Sequence, residues 1–346
     1  MKLIDTLFDG ALDIVGDVHG EYQALMNLLE HLGYSLEGDH HDGRRLVFLG
    51  DLCDRGPDSV SVMRLVRKLV DSGKAQCLLG NHELNLLNQA PKVGSGWWFE
   101  TRYHSDTLIY GECVRASAQD KAEILEFLSA LPLALERSDL RLVHAAWEDS
   151  SILQLRQMAA MPVLEAYHWF DQQTVLQASQ EDLLAGKQME LANIQMENVA
   201  LVPQGIKALP RYQVLKQNGN PVRVLTSGVE REAEQAHFTN GAWRFTHRVA
   251  WWETYQHPVP VLFGHYWRSF QGSAHAVVMP GAIQALPFAW MGKGATFCLD
   301  YSVGARYKER KRRLAVPAQS ACRLGAMRWP EQALMFDCGT TLQSQK

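Results

Sequence analysis

The sequence predicts an α/β protein in which two β-sheets pack together with helices outside. Three observations carry that expectation. Short apolar runs alternate with amphipathic helical segments from residue 11 to 144, and a strand-rich tail follows from residue 259. Five blocks each end a predicted strand: Gly16-Asp17-Val18-His19-Gly20, Gly50-Asp51-Leu52-Cys53-Asp54-Arg55-Gly56, Gly80-Asn81-His82-Glu83, Val143-His144-Ala145-Ala146 and Gly264-His265. Strand–helix repeats followed by a run of strands build layered sheets with helical outer layers.

The elements follow in order. Residues 11–16 form a short apolar strand, and 21–32 have helical spacing with Gly33 as the stop. Residues 45–50 are the next strand. An amphipathic helix covers 59–70, with Asp58 or Ser59 as N-cap and Gly73 just past its end. A third strand covers 75–79, a helix begins over 83–88, and 118–131 is helical as far as Pro132. Residues 140–144 are again a strand.

Residues 150–245 break this rhythm. The stretch 151–200 is rich in Gln, Met, Leu and Ala and predicts helices with a loop near Gly186. Residues 203–241 are more turn-rich, with Asn218-Gly219-Asn220-Pro221 as a clear turn. We read 150–245 as a largely helical insertion within one domain spanning 1–346, serving either as a lid or as a packing layer. Strands resume at 259–263, 274–278, 296–299, 312–316 and 333–336.

Composition narrows the function classes. The 346 residues are 47% hydrophobic and 21% charged, ordinary for a large globular domain. A formal net charge of −4 provides no global field for nucleic acid or an anionic membrane. A phosphate site must therefore be locally positive, as bound cations would make it. The six cysteines, at 53, 77, 113, 298, 322 and 338, form no Cys-x-x-Cys pair, which argues against a disulfide framework and for a reducing compartment. The N-terminus lacks a basic region followed by an apolar run. The most apolar window, 277–291, is interrupted by Pro280 and Pro287 and is too short to span a bilayer. The expected location is the cytoplasm.

The blocks concentrate ligands at strand tips, where the loops of an α/β sheet converge on a crevice. Asp51 directly follows a strand and is the best candidate to bridge two cations. Asp17 and His19 are two apart and both face one ion from an extended turn. Asn81 offers a carbonyl oxygen, and His144 and His265 offer imidazoles. This mixed O/N set suits Mn²⁺, Fe, Zn²⁺ or Ni²⁺ better than Mg²⁺ or Ca²⁺. Two such ions about 3.5–4 Å apart activate a bridging water and clamp the oxygens of an in-line displacement at phosphorus. Arg55 would fork onto two phosphate oxygens. His82 would protonate the leaving alkoxide, oriented by Asp54. Neither a Walker loop nor a Ser-His-Asp elbow is present.

These blocks resemble the calcineurin-like metallophosphoesterase signature of the type shared by protein Ser/Thr phosphatases and diadenosine tetraphosphate hydrolases. The resemblance covers 12–144 closely and 259–304 more loosely. It implies a four-layer α/β/β/α sandwich of two mixed sheets. It also implies one metal on Asp17, His19 and Asp51, a second on Asp51, Asn81, His144 and His265, an acid pair His82–Asp54 and a phosphate clamp Arg55. The runs around Asp17 and Asp51 look most like bacterial dinucleoside tetraphosphatases and the phosphatase module of bacterial polynucleotide kinase-phosphatases. Cys298-Leu299-Asp300-Tyr301-Ser302-Val303-Gly304 is similar to an Ile-Asp-Thr-Gly segment in these groups, which makes Asp300 a candidate acid at the site. The Ser-Ala-Pro-Asn-Tyr segment of protein phosphatases is absent, and so is the Gly-His-x-His ending of cyclic-nucleotide phosphodiesterases. His144-Ala145-Ala146 departs from the usual His-Ala-Gly, where an added methyl could shift a loop. Arg248 loosely matches a segment before the last His and is a candidate phosphate ligand.

The expected function is hydrolysis of phosphate esters or anhydrides by a dinuclear, most readily manganese, centre. Dinucleoside polyphosphates come first as substrates and phosphorylated nucleic-acid ends second. The alternatives are a protein Ser/Thr phosphatase and a non-catalytic, metal-stabilised binding module. Other conspicuous residues receive plainer roles. His40 and His41 read as solvated turn residues, and Trp97-Trp98-Phe99 and Trp251-Trp252 read as packing before base stacking. The basic run 306–313 reads as a solvated surface strand, and the Met-rich helices between Met158 and Met196 as core filling.

Overall fold

The computed structural model describes residues 2–158, 161–239, 241–270, 288–312 and 320–345. The predicted strand at 274–278 lies outside them, as does all but the first residue of that at 312–316. The chain begins β1 (Ile4–Thr6), β2 (Leu12–Val15), α1 (Tyr22–Leu32), β3 (Arg45–Phe48), α2 (Ser59–Asp71), β4 (Ala75–Cys77) and α3 (Asn81–Leu87). It continues with α4 (Glu100–Tyr110), α5 (Ala118–Ser129), β5 (Ala134–Arg137), β6 (Leu140–Val143), α6 (Asp149–Gln157), α7 (Val163–Gln180) and α8 (Leu183–Asn193). Then come α9 (Ala208–Asn218), α10 (Pro221–Ser227), β7 (Glu230–Thr239), β8 (Ala242–Arg248) and β9 (Val261–Phe263). The last elements are β10 (Thr296–Cys298), α11 (Arg306–Lys311), β11 (Gly325–Trp329), β12 (Ala333–Phe336) and β13 (Thr341–Gln343).

Two mixed sheets form the body, as expected. One has the order β1-β5-β6-β9-β10 and the other β13-β12-β11-β2-β3-β4. Strand alternation decides what lies between them. Leu12, Ile14 and Val47 of one sheet meet Leu135, Leu142, Leu262 and Phe297 of the other in a shared apolar layer. The intervening residues, Val15, Leu46, Phe48, Ala134, Val143, Val261 and Phe263, face outward and are covered by the apolar sides of the helices. β2 also buries a charge, Asp13, which accepts from Arg44 Nε at 3.1 Å, Arg328 Nε at 3.0 Å and Tyr34 Oη at 2.9 Å. An apolar strand tolerates a carboxylate there because every side of it is hydrogen-bonded.

Asp58 is the N-cap of α2, its Oδ1 accepting from Ser61 N at 2.9 Å. Several expectations need correction. Gly186 lies inside α8 rather than in a loop. The turn-rich stretch holds two helices and a long hairpin, β7–β8, that forms a third, separate sheet. The hairpin escaped notice because its alternating residues are mostly polar and only partly buried. Helix α4 carries no apolar stripe, since its one buried residue is Asp106. Residues 306–311 of the basic run form the helix α11; Lys, Arg and Glu are good helix formers and the run holds no β-branched residue. His40 is buried and hydrogen-bonded to Leu32 O at 3.0 Å, whereas His41 is exposed. Trp97, Trp98, Trp251 and Trp252 are buried, in keeping with packing. Among the described residues no helix is long and apolar enough to cross a membrane, and all six cysteines are free.

Candidate metal centre

The five blocks converge, because β2, β3 and β4 in one sheet and β6 and β9 in the other all end towards the same edge. The turns are tight enough to force unusual backbone. His19, Asp51, Asp54, Arg55, His265 and Ser302 all have positive φ, six of the nine such non-glycine residues described. Strain of this kind collects where side chains must be aimed.

Asp51 lies at the centre. Its Oδ2 is 3.8 Å from both His19 Nε2 and His82 Nε2, while its Oδ1 is 3.3 Å from His144 Nε2. Two groups of potential ligands therefore share it: His19, Asp51 and His82, and Asp51, His144 and His265. Asp17 Oδ2 is 4.0 Å from His19 Nε2 and accepts from the His265 amide at 3.1 Å. Asn81 Oδ1 lies 2.8 Å from His265 Nδ1 and 3.3 Å from His144 Nε2. All six sequence-predicted ligands are thus within one cluster, buried apart from the half-buried Asn81.

Hydrogen bonds orient the imidazoles. His19 Nδ1 donates to Cys53 O at 3.0 Å and His144 Nδ1 to Leu49 O at 2.8 Å. Carbonyls only accept, so each ring places Nε2 inward as its second nitrogen. His144 Nε2 faces two acceptor oxygens although the ring's proton is already committed to Nδ1; only a second proton or a cation reconciles that. His265 Nε2 and Asp300 Oδ2 are buried with no hydrogen-bond partner. Unpartnered lone-pair atoms at a cluster of carboxylates fit a cation site.

The electrostatics agree. Burial lowers the His19 and His265 pKa values well below the usual range, with Arg55 and Arg248 respectively adding to it. Neutral imidazole is the ligating form. Burial opposes the charge on His144, yet Asp51 outweighs it and lifts that pKa to about 10. Burial and the neighbouring Asp300 raise the Asp17 pKa, and burial raises Asp300 to about 6. Crowded carboxylates of this kind call for positive charge.

His82 stands beside the cluster. Its Nδ1 is 2.6 Å from Asp54 Oδ2, and Trp97 Nε1 donates to Asp54 Oδ1 at 2.6 Å. Burial disfavours a charged His82, but Asp51 and Asp54 overcome burial and raise its pKa. Arg55 NH1 and NH2 lie 3.1 Å from His19 Nε2 and His82 Nε2. Arg248 is exposed at the end of β8, its Cζ 5.6 Å from the Tyr266 ring. Ala145 and Ala146 do not have positive φ, so the departure from His-Ala-Gly places no strain on the loop.

Sequence reasoning missed the role of Glu83. Its carboxylate is fully buried and accepts from Asp51 N and Leu52 N at 2.8 Å and from Gly80 N at 3.0 Å. The signal was present, since Gly80-x-x-Glu83 has capping-box spacing, but its reach to residue 51 is not local. Nothing in the sequence signals the bond from Trp97 to Asp54 either, Trp97 reading there as packing before base stacking.

The two-sheet sandwich gathers Asp, Asn and His side chains that could hold metal ions at its strand tips. Residues 11–185, half of the chain, match the calcineurin-like phosphoesterase model, and the chain belongs to that family. The asymmetrical bis(5'-nucleosyl)-tetraphosphatase PrpE of Halalkalibacterium halodurans is 52% identical over 149 residues, covering 40% of this chain and 58% of that protein. Its counterpart in Oceanobacillus iheyensis is 46% identical over 140 residues, covering 39% and 54%. A symmetrical bis(5'-nucleosyl)-tetraphosphatase of Vibrio campbellii is 36% identical over 132 residues, covering 38% and 43%. Among solved structures, a cold-active protein-tyrosine phosphatase of a psychrophilic Shewanella species covers 99% of this chain and 82% of its own, at 17% identity and a TM-score of 0.49. The chain spans about half the length of the curated relatives it matches.

Proposed function

We propose that this chain is a phosphoesterase acting on nucleotide-type substrates, dinucleoside polyphosphates first and phosphorylated nucleic-acid ends second. The observation that carries the reading is Asp51, whose two oxygens face separate imidazole groups while His82–Asp54 and Arg55 stand beside it. The names of the curated relatives, bis(5'-nucleosyl)-tetraphosphatases, favour the first substrate class.

Asp17, His19 and Asp51 would hold one divalent ion, and Asp51, Asn81, His144 and His265 the other; Mn²⁺ is the first choice, with Fe, Zn²⁺ or Ni²⁺ as alternatives. Such ions supply Lewis-acid polarisation of the phosphoryl oxygens and an activated water. Arg55 presents a planar fork to two phosphate oxygens. Asp54 accepts from His82 Nδ1, so that Nε2 carries a proton for the leaving oxygen in the doubly protonated ring, the form that the raised pKa favours. Asp300, buried beside Asp17, and Arg248, at the rim, complete the substrate contacts. Residues 150–245 border the site: Ala145 N donates to Leu225 O at 2.8 Å, and Gly228 abuts the Tyr266 hydroxyl. Free cysteines favour a reducing compartment, the cytoplasm.

The test is ion-exchange analysis of products from diadenosine tetraphosphate with Mn²⁺-loaded protein and a chelated control. Metal-dependent release of ADP, or of ATP with AMP, supports the reading. Intact substrate, in a preparation that hydrolyses p-nitrophenyl phosphate, shifts the substrate to phosphomonoesters. Asp51→Asn is expected to lose hydrolysis by orders of magnitude with the fold intact; retained activity would remove the bridging role.

A further inference from the structure

Helix α11 begins against the metal cluster. A Cβ on Gly304 would fall 2.5 Å from His19 Cδ2, so the chain leading into the helix lies directly on that ligand's ring. The helix is fastened on three sides. Arg306 donates to Cys322 O at 2.9 Å and to Asp337 at 2.5 Å, Arg310 pairs with Glu21 at 2.5 Å, and Lys311 Nζ donates to Leu108 O at 2.6 Å on α4. Its basic residues are therefore largely used as anchors, which leaves its aromatic residue to be explained.

Tyr307 meets Tyr110, the last residue of α4, edge to face with ring centroids 4.5 Å apart. Both rings remain partly exposed. Trp267, two residues beyond the ligand His265, is also partly exposed and packs on Ala305 and Cys322 next to α11. Its ring centroid is 5.3 Å from Arg55 Cζ. The charge of Arg55 reaches both tyrosines, partly offsetting the burial that raises their pKa values. One partly open ring thus lies beside the guanidinium assigned to the phosphate, and two more, stacked edge to face, lie within reach of its charge. By contrast, Trp97, Trp98, Trp251 and Trp252 are buried. Nothing in the hydrolysis of a simple phosphate ester requires such a rim. A substrate with a base one ribose away from its phosphate does.

We propose that Tyr307, Tyr110 and Trp267 form a nucleobase platform beside Arg55, making the site selective for nucleotides over phosphate esters of the same charge. The proposal rests on the nucleotide reading above and names the residues that recognise the base. Aromatic rings take any base through its π-face, so the platform discriminates nucleotides from non-nucleotides rather than adenine from guanine. Lys308, whose Nζ is 5.9 Å from the Tyr307 ring, places positive charge beside it.

The test compares AMP with ribose 5-phosphate, which carry the same phosphate and sugar and differ by the base. Equilibrium dialysis on Mn²⁺-loaded protein, with product analysis confirming that both ligands stay intact, measures both dissociation constants. Base stacking changes affinity by roughly 5- to 150-fold per base, so AMP is expected to bind at least about 5-fold tighter. Tyr307→Ala is expected to bring that ratio close to one, while Tyr307→Phe, which keeps the ring, preserves it. A purely packing role for Tyr307 would weaken both ligands alike. The proposal is overturned if wild-type protein binds the two equally, if it binds neither at millimolar concentration, or if Tyr307→Ala keeps the preference. Should AMP be preferred while diadenosine tetraphosphate stays intact, the platform stands and the dinucleoside polyphosphate reading falls.

Discussion

Glu83→Gln isolates the clamp that holds the central ligand. Glu83 Oε2 accepts from Asp51 N at 2.8 Å and Gly80 N at 3.0 Å, while Oε1 accepts from Leu52 N at 2.8 Å and Cys53 Sγ at 3.3 Å. A glutamine keeps one acceptor oxygen and turns an NH2 group towards the other pair. It will choose the less costly orientation, facing Leu52 and the thiol, whose hydrogen can rotate away. One buried amide is then left without an acceptor, at about 1–3 kcal/mol. Loss of the buried charge offsets part of this, so the lower half of that range is expected in urea unfolding of chelated protein. The effect on function should be larger in proportion, because the amide left unpaired belongs to the peptide that Asp51 itself forms with Leu52. Changes to groups that orient metal ligands typically cost about 10- to 100-fold in metal affinity or activity. Metal titration of the variant measures it directly. An unchanged urea midpoint would show that the loop stands without Glu83. A lowered midpoint with unchanged metal affinity would leave Glu83 a purely structural residue.

Three further outcomes follow from particular contacts. His82→Ala should lose about 10²–10⁴ in rate on esters with poor leaving groups but far less on p-nitrophenyl phosphate, whose leaving group needs little protonation; equal losses would remove the acid role. Asp171 accepts from Arg223 Nε at 3.0 Å and NH2 at 3.1 Å and from Asn220 at 3.1 Å; although burial opposes it, these bonds lower its pKa. A carboxylate depressed in the folded state stabilises above its unfolded value of about 3.9 and loses that contribution as pH falls through the folded value. Asp171→Asn should therefore cost about 1 kcal/mol at neutral pH, with the difference vanishing in strongly acidic urea titrations; a gap that persists there would contradict the charge argument. Gly228→Ala should destabilise by about 2–5 kcal/mol in urea, since φ is +87° and the new Cβ would lie 2.0 Å from Tyr266 Oη beside His265; a neutral substitution would refute the close approach.

The sequence by itself determined the strand–helix rhythm from 11 to 144 and the six metal-ligand candidates. Both are local properties: a period of two or 3.6 says which face is buried, and a Gly-Asp or Gly-His turn places a polar side chain at a strand tip. Elements with weak periodicity were not legible. Helix α4 buries Asp106 rather than an apolar stripe, the β7–β8 hairpin alternates polar residues, and the charged run 306–313 carries no pattern separating helix from strand. Only the tertiary structure decided which ligands meet. Asp17 accepts from His265 across 248 positions because β2 and β9 lie in different sheets that happen to end at one edge. The same packing brings Glu83 under Asp51, Trp97 onto Asp54 and Tyr307 against Tyr110. Such contacts are set by how the two sheets and the outer helices stack, and a chain's local pattern encodes that a face will be buried without encoding what will cover it.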